Sequence, residues 1–465
     1  MMPTFEAEPQ KAKPDGLPAR TPARVPLHHT PMGILASARA GQKNVLELIP
    51  DIATRQPMVS GRTGKRWHMV MDPEALKRVL RDRVEDYPKS TVTKLILEQA
   101  IGDSMFVAEG AAWLWQRRTV ASVFSHRNVA ALAPVMTAAA ERASTRIAAA
   151  HGRATDMFTE MVAATFEVIS DVTFSGGEGF DRGAVQRAIE DYISHAAKVS
   201  VLDLLGVPGW VPRPGRMMAG GAMREMKRIA DEAIKSRRKD GRRAVPDLLD
   251  LLLEGEDPKT GQKMTTAELR DNLLTFIVAG HETTALTLSW ALYLCAFDQE
   301  IQAAARAEAR AVLGDRAATQ ADIAGLSLSR QIIDEALRMY PPAAFLSRTA
   351  QVSDTLCGRD IKAGDTVVLP IYALHRHHML WKNPDQFDPS RFADPKAIER
   401  FSYLPFGDGP RVCIGANFAL QEAVIILATL LARHRFSLVK GKEPKPVMIL
   451  TLRPEGGVWL NVDAV

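Results

Sequence analysis

The longest apolar stretch of the chain predicts a buried helix. Residues 259–340 contain no proline, which permits several long helices in succession. Within them, the run ELRDNLLTFIVAGHETTALTLSWALYL is apolar on most sides, as in a helix that lies in the middle of a large fold. The spacing of Thr265 and Glu268 predicts a capping box at the start of one of these helices.

Strand patterns are fewer and lie late in the chain. The segment TLCGRDIKAGDTVVLPIY at 355–372 predicts short strands around a Lys-Ala-Gly-Asp turn. The segment LTLRPEGGVWLNV near the C-terminus predicts a hairpin with its turn at Pro-Glu-Gly-Gly. The chain is therefore predicted to be mainly helical, with a smaller β portion.

The composition is that of a globular protein with one large core. Of 465 residues, 46% are hydrophobic and 24% are charged. Residues 1–31 contain seven prolines and are predicted to form an irregular Pro-rich N-terminal arm. No later shift in composition divides residues 32–465, which are predicted to form a single domain. Three cysteines without a disulfide framework, no signal peptide and no apolar run of ~20 residues predict a cytoplasmic protein without a transmembrane segment.

The charge pattern argues against nucleic-acid binding. The net charge of +5 is small for a chain of this size, and no long Lys/Arg run concentrates it on one face. The densest basic stretch, KSRRKDGRR at 235–243, is interpreted as a solvated helix end and loop.

One cysteine lies in a tight stretch of backbone, FGDGPRVCIG at 406–415. A neutral buried thiol needs no such surroundings, whereas a thiolate is stabilised by nearby positive charge and backbone N–H groups. Glycines let the backbone approach a flat group closely, and Arg411 can pair with an acidic group on the same ligand. These features suit a cysteine that ligates haem. Cys295 and Cys357 are interpreted as packing residues.

The same decapeptide matches the F-x-x-G-x-R-x-C-x-G signature of the cytochrome P450 haem-thiolate monooxygenases at every fixed position. Four further segments resemble motifs of this family, in the expected order. They are GAAWLWQR at 110–117 for W-x-x-x-R, AGHETT at 279–284 for the oxygen-activation motif, EALR at 335–338 for E-x-x-R, and DPSRF at 388–392 for P-x-R-F. The resemblance extends from about residue 85 to the end of the chain. It implies the cytochrome P450 fold of the soluble bacterial type, a single mainly helical domain with a smaller β portion that encloses one haem b.

The resemblance assigns Cys413 as the axial metal ligand, whose thiolate pushes electron density onto iron and favours O–O cleavage. Haem propionates in a dry pocket need cationic or hydrogen-bonding partners. The implied cofactor-binding residues are Trp113, Arg117, Arg348 and Arg411 at the propionates, His375 as a further candidate there, and Phe406, Gly407, Gly415 and Ala279 around the haem. A zinc site at His375, His377 and His378 is disfavoured, because cysteine or carboxylate partners at metal spacing are missing.

Thr283 and Glu282 are the predicted catalytic pair. Ala279 and Thr283 are four residues apart on a helix and share one face, where a hydroxyl can hydrogen-bond to dioxygen. Glu282 points about 100° away, toward a water channel, so that the pair delivers protons. Gly280 leaves room for the ligand. His281 is interpreted as a satisfied polar contact, since no second histidine lies at the helical spacing of a metal site.

A second group, Glu335, Arg338 and Arg391, is assigned a structural role. Glu335 and Arg338 are three residues apart on a helix and close enough to pair, and the resemblance adds Arg391. Because desolvation offsets the attraction between buried charges, the trio is predicted to hold the loop that leads to Cys413.

The resemblance also outlines an apolar pocket for a lipophilic small-molecule substrate. Its predicted lining is Phe276, Ala279, Ala343, Phe345, Leu346 and Ile449. Residues 209–226 combine prolines, glycines and four methionines. They are predicted to lie near a moving lid, with an ordinary interhelical loop as the alternative.

The predicted reaction inserts one atom of O2 into a C–H bond of the substrate and reduces the other to water, with two externally supplied electrons. A ferredoxin fed by an NAD(P)H-dependent ferredoxin reductase is the expected donor. It would dock on a basic surface of Arg117, Arg118 and Arg127, and the protein is expected to be a monomer. Two alternatives are a peroxide-driven haem-thiolate peroxygenase and a non-catalytic haem-binding sensor. The pair of Glu282 and Thr283 argues against both, because neither depends on proton delivery to oxygen.

Overall fold

The computed structural model describes residues 21–30, 32–63, 65–174, 183, 185, 187, 220–448 and 450–465. Residues 1–20 of the predicted arm, residues 209–219 of the predicted lid and Ile449 of the predicted pocket lie outside them.

Helices make up most of the described chain. They are α1 (Ile34–Lys43), α2 (Pro73–Lys77), α3 (Thr91–Ile101), α4 (Gly110–Val123), α5 (His126–Ala131), α6 (Ala133–Ala148), α7 (Met157–Phe174), α8 (Gly220–Asp240), α9 (Leu248–Glu254), α10 (Thr266–Phe297), α11 (Gln299–Leu313), α12 (Ser327–Met339), α13 (Ile371–Leu374) and α14 (Ala416–Arg433). Two short helical turns matter for the site, a π-turn at Arg78–Asp82 and a 3-10 turn at Gly409–Arg411.

The strands form small sheets at the periphery of the helices. They are β1 (Met58–Thr63), β2 (Lys65–Val70), β3 (Ala154–Asp156), β4 (Leu346–Thr349), β5 (Asp354–Leu356), β6 (Arg359–Ile361), β7 (Thr366–Leu369), β8 (His434–Leu438), β9 (Lys445–Met448), β10 (Leu452–Glu455) and β11 (Trp459–Ala464). One sheet has the order β1-β2-β7-β4, in which only β2 and β7 are parallel. The others pair β5 with β6, β9 with β10, and β11 with both β3 and β8, all antiparallel.

The central helix confirms the prediction from its apolar run. Helix α10 has 32 residues, most of them buried, and packs against α7, α8, α12 and α14. Its predicted capping box is present: the Thr265 N–H donates to Glu268 Oε2 over 2.8 Å, and the Glu268 N–H donates to Thr265 Oγ1 over 3.3 Å. Two backbone donors that the first helical turn cannot satisfy are thereby paired.

The predicted C-terminal hairpin is wrong. β10 pairs with β9, whereas β11 pairs with β3 and β8, so the two strands belong to different sheets. Gly456 and Gly457, with φ of 81° and 86°, turn the chain between them. A Cβ atom at Gly457 would lie 2.6 Å from Asp156 Oδ1, and this carboxylate accepts the Val458 N–H over 2.8 Å. The turn is therefore held by a residue about 300 positions away, which no local pattern can indicate. The strands predicted around the Lys-Ala-Gly-Asp turn are present as β6 and β7.

The end of the predicted N-terminal arm packs on the helices. The Ala23 N–H donates to Tyr293 Oη over 2.9 Å, and Tyr340 Oη donates to the Ala23 carbonyl oxygen over 2.6 Å. The Val25 N–H donates to Tyr372 Oη over 3.1 Å, and the Val25 side chain is buried. Residues 21–30 thus share hydrogen bonds with the domain that was predicted to begin at residue 32.

The basic stretch at 235–243 is solvated only in part. Most of its arginines and lysines are exposed, but Arg237 is 7% exposed. Its Nη1 lies 2.7 Å from Asp247 Oδ1 and 2.7 Å from Asp250 Oδ1. Arg237 therefore joins the end of α8 to the start of α9, and the interpretation of the whole stretch as solvated is corrected at this position.

One helix among the described residues, α14, is long and apolar enough to cross a membrane by length and composition alone. Of this helix, 67% is buried inside the protein. It packs against α6, α10, α11 and α12, which is the environment of a core helix.

Candidate active site

The loop that carries Cys413 is shaped by close contact with the π-turn. Gly409 has a φ of 72°, and a Cβ atom there would lie 2.2 Å from the Leu80 carbonyl oxygen. Only glycine combines this conformation with this approach. Beyond the turn, the Cys413 N–H donates to the Phe406 carbonyl oxygen over 2.9 Å. The loop ends at Gly415, where α14 begins.

The surroundings of Cys413 shift the pKa of its thiol in two opposite directions. Burial raises its pKa, whereas the Gly415 N–H and the Arg117 guanidinium favour the thiolate and lower it. The residue nevertheless retains accessible surface. Cys413 therefore combines a deep position with accessible surface, and thiolate-stabilising groups lie beside it.

The other two cysteines differ from each other. Cys295 is fully buried in α10, and burial raises the pKa of its thiol to about 12, as expected of a packing residue. Cys357 is exposed in the turn between β5 and β6, with a φ of 49°. Its interpretation as a packing residue is wrong.

The environment of the Cys413 loop includes two arginines, Arg348 and Arg411. The Arg411 guanidinium lies 4.2 Å from the centre of the Trp113 ring. Arg348 is 5% exposed, and its Nη1 donates to the Ser347 carbonyl oxygen over 3.1 Å. The Nε atoms of Arg348 and Arg411 are buried and have no hydrogen-bond partner among the residues that the structure describes. Burial lowers the pKa of each of these two arginines to about 10.

These residues fit the acidic edge of a haem. Buried guanidinium N–H groups without an acceptor are costly, and the propionates of a bound haem would supply acceptors for them. The anion that the protein itself provides there is Glu109, which pairs with Arg411 and lies 3.5 Å from Lys94 Nζ. The predicted propionate partners Trp113, Arg348 and Arg411 are thus brought together. Glu109 and Lys94 were missed, since nothing in their local sequence distinguishes them from surface charges.

His375 is placed elsewhere, which corrects its assignment. The residue is fully buried. Its Nε2 accepts the Leu404 N–H over 2.8 Å, and its Nδ1 lies 3.1 Å from the Arg338 carbonyl oxygen. Burial lowers the pKa of His375 to about 3, so the ring is neutral. Both ring nitrogens contact backbone groups of the protein, and the imidazole supports the segment that precedes the Cys413 loop.

The predicted oxygen face of α10 has the accessibility of a cavity wall. Ala279 is exposed and Thr283 is partly exposed, although the residues around them in this helix are mostly buried. Thr283 Oγ1 donates to the Ala279 carbonyl oxygen over 2.7 Å. A Cβ atom at Gly280 would lie 3.3 Å from Ile169 Cδ1, so the helix packs tightly beside this face.

The carboxylate of Glu282 does not face a water channel. Glu282 is 3% exposed, and its Oε1 accepts a hydrogen bond from Thr451 Oγ1 over 2.7 Å and another from Arg453 Nε. Helical spacing correctly predicted that the Glu282 side chain points away from Thr283. Its partners are Arg453 in β10 and Thr451 just before that strand. Arg453 and Thr451 were missed by sequence reasoning, since their only signal is a charged residue within an otherwise apolar strand pattern.

His281 is the satisfied polar residue that was predicted. Its Nδ1 lies 2.8 Å from the Ile277 carbonyl oxygen, and its ring meets the edge of the Phe166 ring at 5.7 Å between centroids. It is 4% exposed. Within the described residues, no group of three or more His, Cys, Asp or Glu side chains is arranged to hold a metal ion.

The predicted buried charge trio is assembled. Arg338 donates to both carboxylate oxygens of Glu335, over 2.6 and 2.8 Å, and Arg391 Nε lies 3.4 Å from Glu335 Oε1. Arg338 also donates to the carbonyl oxygens of His375 and Pro384 over 2.7 and 2.8 Å. The trio therefore ties α12 to the segment that leads to the Cys413 loop.

The predicted pocket residues divide into two groups. Ala343 is exposed, and Phe345 and Leu346 are partly exposed, in the segment that enters β4. Leu346 Cδ1 lies 3.8 Å from the Cβ position of Gly407, next to the Cys413 loop. Phe276 instead packs edge-on against Phe124 at 5.1 Å in a buried cluster, so its assignment to the pocket is corrected.

The predicted basic docking surface is also corrected. Arg118 forms a two-pronged pair with Asp257, with N–O distances of 2.7 and 2.5 Å, and Arg117 interacts with Cys413 in the interior. Arg127 alone of the three predicted residues is exposed. A charge already paired within the protein contributes little to docking.

Comparisons with known proteins agree with this site. The cytochrome P450 family model matches residues 26–461. Cyclooctat-9-en-7-ol 5-monooxygenase of Streptomyces melanosporofaciens is 32% identical over 417 residues, covering 88% of each chain. Cyclooctatin synthase of the same organism is 31% identical, covering 88% of this chain and 90% of its own. The crystal structure of the cytochrome P450DA heme domain aligns with a TM-score of 0.78 at 27% identity, covering 88% of this chain and 90% of that one.

The chain therefore belongs to the cytochrome P450 family. Its fold is that of the family's haem domain, and it is a cytochrome P450 monooxygenase. The family uses haem iron and O2, takes small-molecule substrates and receives electrons from redox partners.

Proposed function

We propose that this protein oxygenates a lipophilic small molecule in the cytoplasm, as a monomer, with haem b and O2. Two electrons are supplied by a ferredoxin and an NAD(P)H-dependent ferredoxin reductase. The observation that carries the proposal is the accessible strip of Ala279 and Thr283 on a buried helix, with a buried carboxylate one position away. Neither a peroxide-driven enzyme nor a haem-binding sensor needs this arrangement.

The chain's own residues have separate tasks. Haem held by Cys413 supplies an iron centre with a thiolate ligand that favours O–O cleavage. Arg117 and the Gly415 N–H stabilise the thiolate, and the guanidinium groups of Arg348 and Arg411 would pair with the propionates. The hydrogen bond from Thr283 to the Ala279 carbonyl oxygen holds a proton at the cavity face. When its contact with Arg453 opens, Glu282 takes up a proton from solvent and passes it on to replace the one given up at Thr283.

The lipophilic substrate class rests on the accessible lining. Ala343, Phe345 and Leu346 present accessible apolar side chains, and Leu346 lies beside the Cys413 loop. Apolar pockets hold their ligands mainly by shape and burial. The name of the first relative above places its reaction on cyclooctat-9-en-7-ol. For this chain we infer only the shared chemistry, an apolar carbon skeleton with an accessible C–H bond.

The first test is the absorbance of the dithionite-reduced protein with carbon monoxide. A strongly red-shifted Soret band is expected, and Cys413→Ser is expected to abolish it. Cys357→Ser is the matched control, because it removes an exposed thiol outside the site and is expected to keep the band. An unshifted band in the unaltered protein would contradict thiolate ligation.

A second measurement separates the proposed reaction from its alternatives. With ferredoxin, reductase and NADPH, product is expected to carry one atom of labelled O2, and Thr283→Ala is expected to divert electrons from product to peroxide. Product formed from added peroxide at the same rate in both variants would support a peroxygenase. Retention of O2 without turnover of any lipophilic compound would support a sensor.

A further inference from the structure

The π-turn lies directly against the backbone of the Cys413 loop. The described atoms nearest to a Cβ position at Gly409 all belong to this turn, and they include the Leu80 carbonyl carbon at 3.0 Å and Arg81 Cα at 3.3 Å. Gly409 stands four residues before Cys413. Because glycine has no side chain to separate the two segments, the position of the turn limits where the loop can lie.

One carboxylate, that of Asp354 in β5, contacts both ends of the π-turn. At the first residue of the turn, Arg78 Nη2 donates to Asp354 Oδ1 over 2.7 Å, and Arg78 Nε donates to Asp354 Oδ2 over 3.0 Å. At the residue after the turn, Arg83 Nη1 lies 3.6 Å from Asp354 Oδ1. Tyr87 Oη, further along, donates to Asp354 Oδ2 over 2.7 Å. Asp354 therefore fixes the turn to the sheet from both sides.

The Asp354 carboxylate is buried and ionised. Its side chain is 4% exposed, and the Tyr87 side chain is buried beside it. Burial raises the pKa of Asp354, but the hydrogen bonds from Arg78 and Tyr87 outweigh this effect and bring the pKa down to about 2. Hydrogen bonds to an ionised group are shorter and stronger than those between neutral groups. The contact is therefore a firm support for the turn.

We propose that Asp354 is a positioning residue for the Cys413 thiolate. By fixing the π-turn, it keeps the Leu80 carbonyl group against Gly409, and this backbone contact holds the loop in the place from which Cys413 ligates haem. Asp354 acts through Arg78, Tyr87 and the turn, and its role is to position the iron ligand rather than to bind the cofactor. The inference rests on the proposed function, because it concerns the thiolate that would hold haem.

A double-mutant cycle tests whether the turn transmits this position. Gly409→Ala forces the loop and the turn apart, and Asp354→Asn removes the charge that resists this movement while keeping the size of the side chain. A loosened turn can yield to the added methyl group. The double variant is therefore expected to lose less stability than the sum of the two single losses, as measured by urea midpoints of the holoprotein.

Asp247→Asn is the matched control for the loss of a buried carboxylate. The Asp247 side chain is 5% exposed and accepts two hydrogen bonds from Arg237, each over 2.7 Å. This pair joins α8 to α9 rather than the π-turn to the sheet. Its loss of stability is expected to add to that of Gly409→Ala, because the two sites share no contact through the turn.

The carbon monoxide band gives a second readout, which reports the thiolate itself. In urea below the unfolding midpoint, the band of Asp354→Asn is expected to change from the red-shifted to the unshifted form about tenfold faster than that of the unaltered protein, because charge-assisted hydrogen bonds to the turn are lost. Asp247→Asn is expected to keep the unaltered rate. Tyr87→Phe removes one hydrogen bond to Asp354, is expected to give an intermediate rate, and replaces Asp354→Asn in both measurements if that variant does not fold.

Two results would overturn the inference: additive losses in the double variant, or equal rates of band conversion in Asp354→Asn and Asp247→Asn. With a red-shifted band in the unaltered protein, either result would reject only the role of Asp354. An unaltered protein that holds haem without a red-shifted band would reject thiolate ligation, and with it the proposed function.

Discussion

Replacement of Gly409 by alanine tests whether backbone contact shapes the Cys413 loop. The φ of 72° places an alanine in the left-handed region, which costs about 1–2 kcal/mol. The added Cβ atom would also lie 2.2 Å from the Leu80 carbonyl oxygen, so the two backbone segments must separate by roughly 1 Å. Overpacking of this kind costs about 1–3 kcal/mol, for a total of about 2–5 kcal/mol.

Gly407 offers a matched control in the same loop. Its φ of 70° carries the same conformational cost, but among the described protein atoms its Cβ atom would meet only Leu346 Cδ1, at an ordinary 3.8 Å. Gly407→Ala is therefore expected to lose only about 1–2 kcal/mol. The difference between the two variants isolates the contact with Leu80.

The assay is urea unfolding of the holoprotein, with the carbon monoxide band measured on the same samples. Gly409→Ala is expected to shift the unfolding midpoint further than Gly407→Ala. It is also expected to lower haem content, because the displaced turn lies four residues before Cys413. Equal losses in the two variants, or an unchanged midpoint in Gly409→Ala, would refute the reasoning from the Leu80 contact.

Three further predictions follow from buried charges. Glu335→Gln leaves the fully buried Arg338 without its anion and is expected to lower the free energy of unfolding in urea by about 3–5 kcal/mol; a loss below about 1 kcal/mol would contradict the structural role. Arg453→Met removes the partner that holds Glu282 and is expected to change the solvent deuterium isotope effect on turnover while the carbon monoxide band stays intact; an unchanged isotope effect would remove Arg453 from proton delivery. Burial lowers the pKa of His434 from 6.5 to about 4, so the unfolded chain binds a proton that the folded protein does not. Stability is then expected to fall by about 1.4 kcal/mol per pH unit from pH 6 toward pH 4, and urea midpoints for His434→Gln should show a smaller fall.

Local pattern was sufficient where a feature depends on its own neighbours in the chain. The apolar run of α10 and its Thr265 capping box both appear as predicted. The glycines and Arg411 around Cys413 pointed to a thiolate, and the structure adds the reason for Gly409. Helical spacing placed Ala279 and Thr283 on one accessible face.

Predictions failed where a side chain meets a partner far along the chain. The C-terminal strands separate because Asp156 holds the turn between them. Arg118 forms an ion pair with Asp257, and His375 accepts a hydrogen bond from the Leu404 N–H. In each case the residue type was a reasonable candidate for its predicted role, but the partner that satisfies it lies beyond any local window.

The sequence by itself determined the family and the helical core, and it supplied the prediction that Cys413 is the thiolate ligand, because these depend on periodicity and on short motifs whose residues act together. Only the tertiary structure decided which charges are free and which are paired. Glu282 meets Arg453, and Asp354 meets Arg78, across strand and loop contacts that chain folding brings together. Electrostatic interactions depend on distance and burial in three dimensions, and neither quantity is written in the order of the residues.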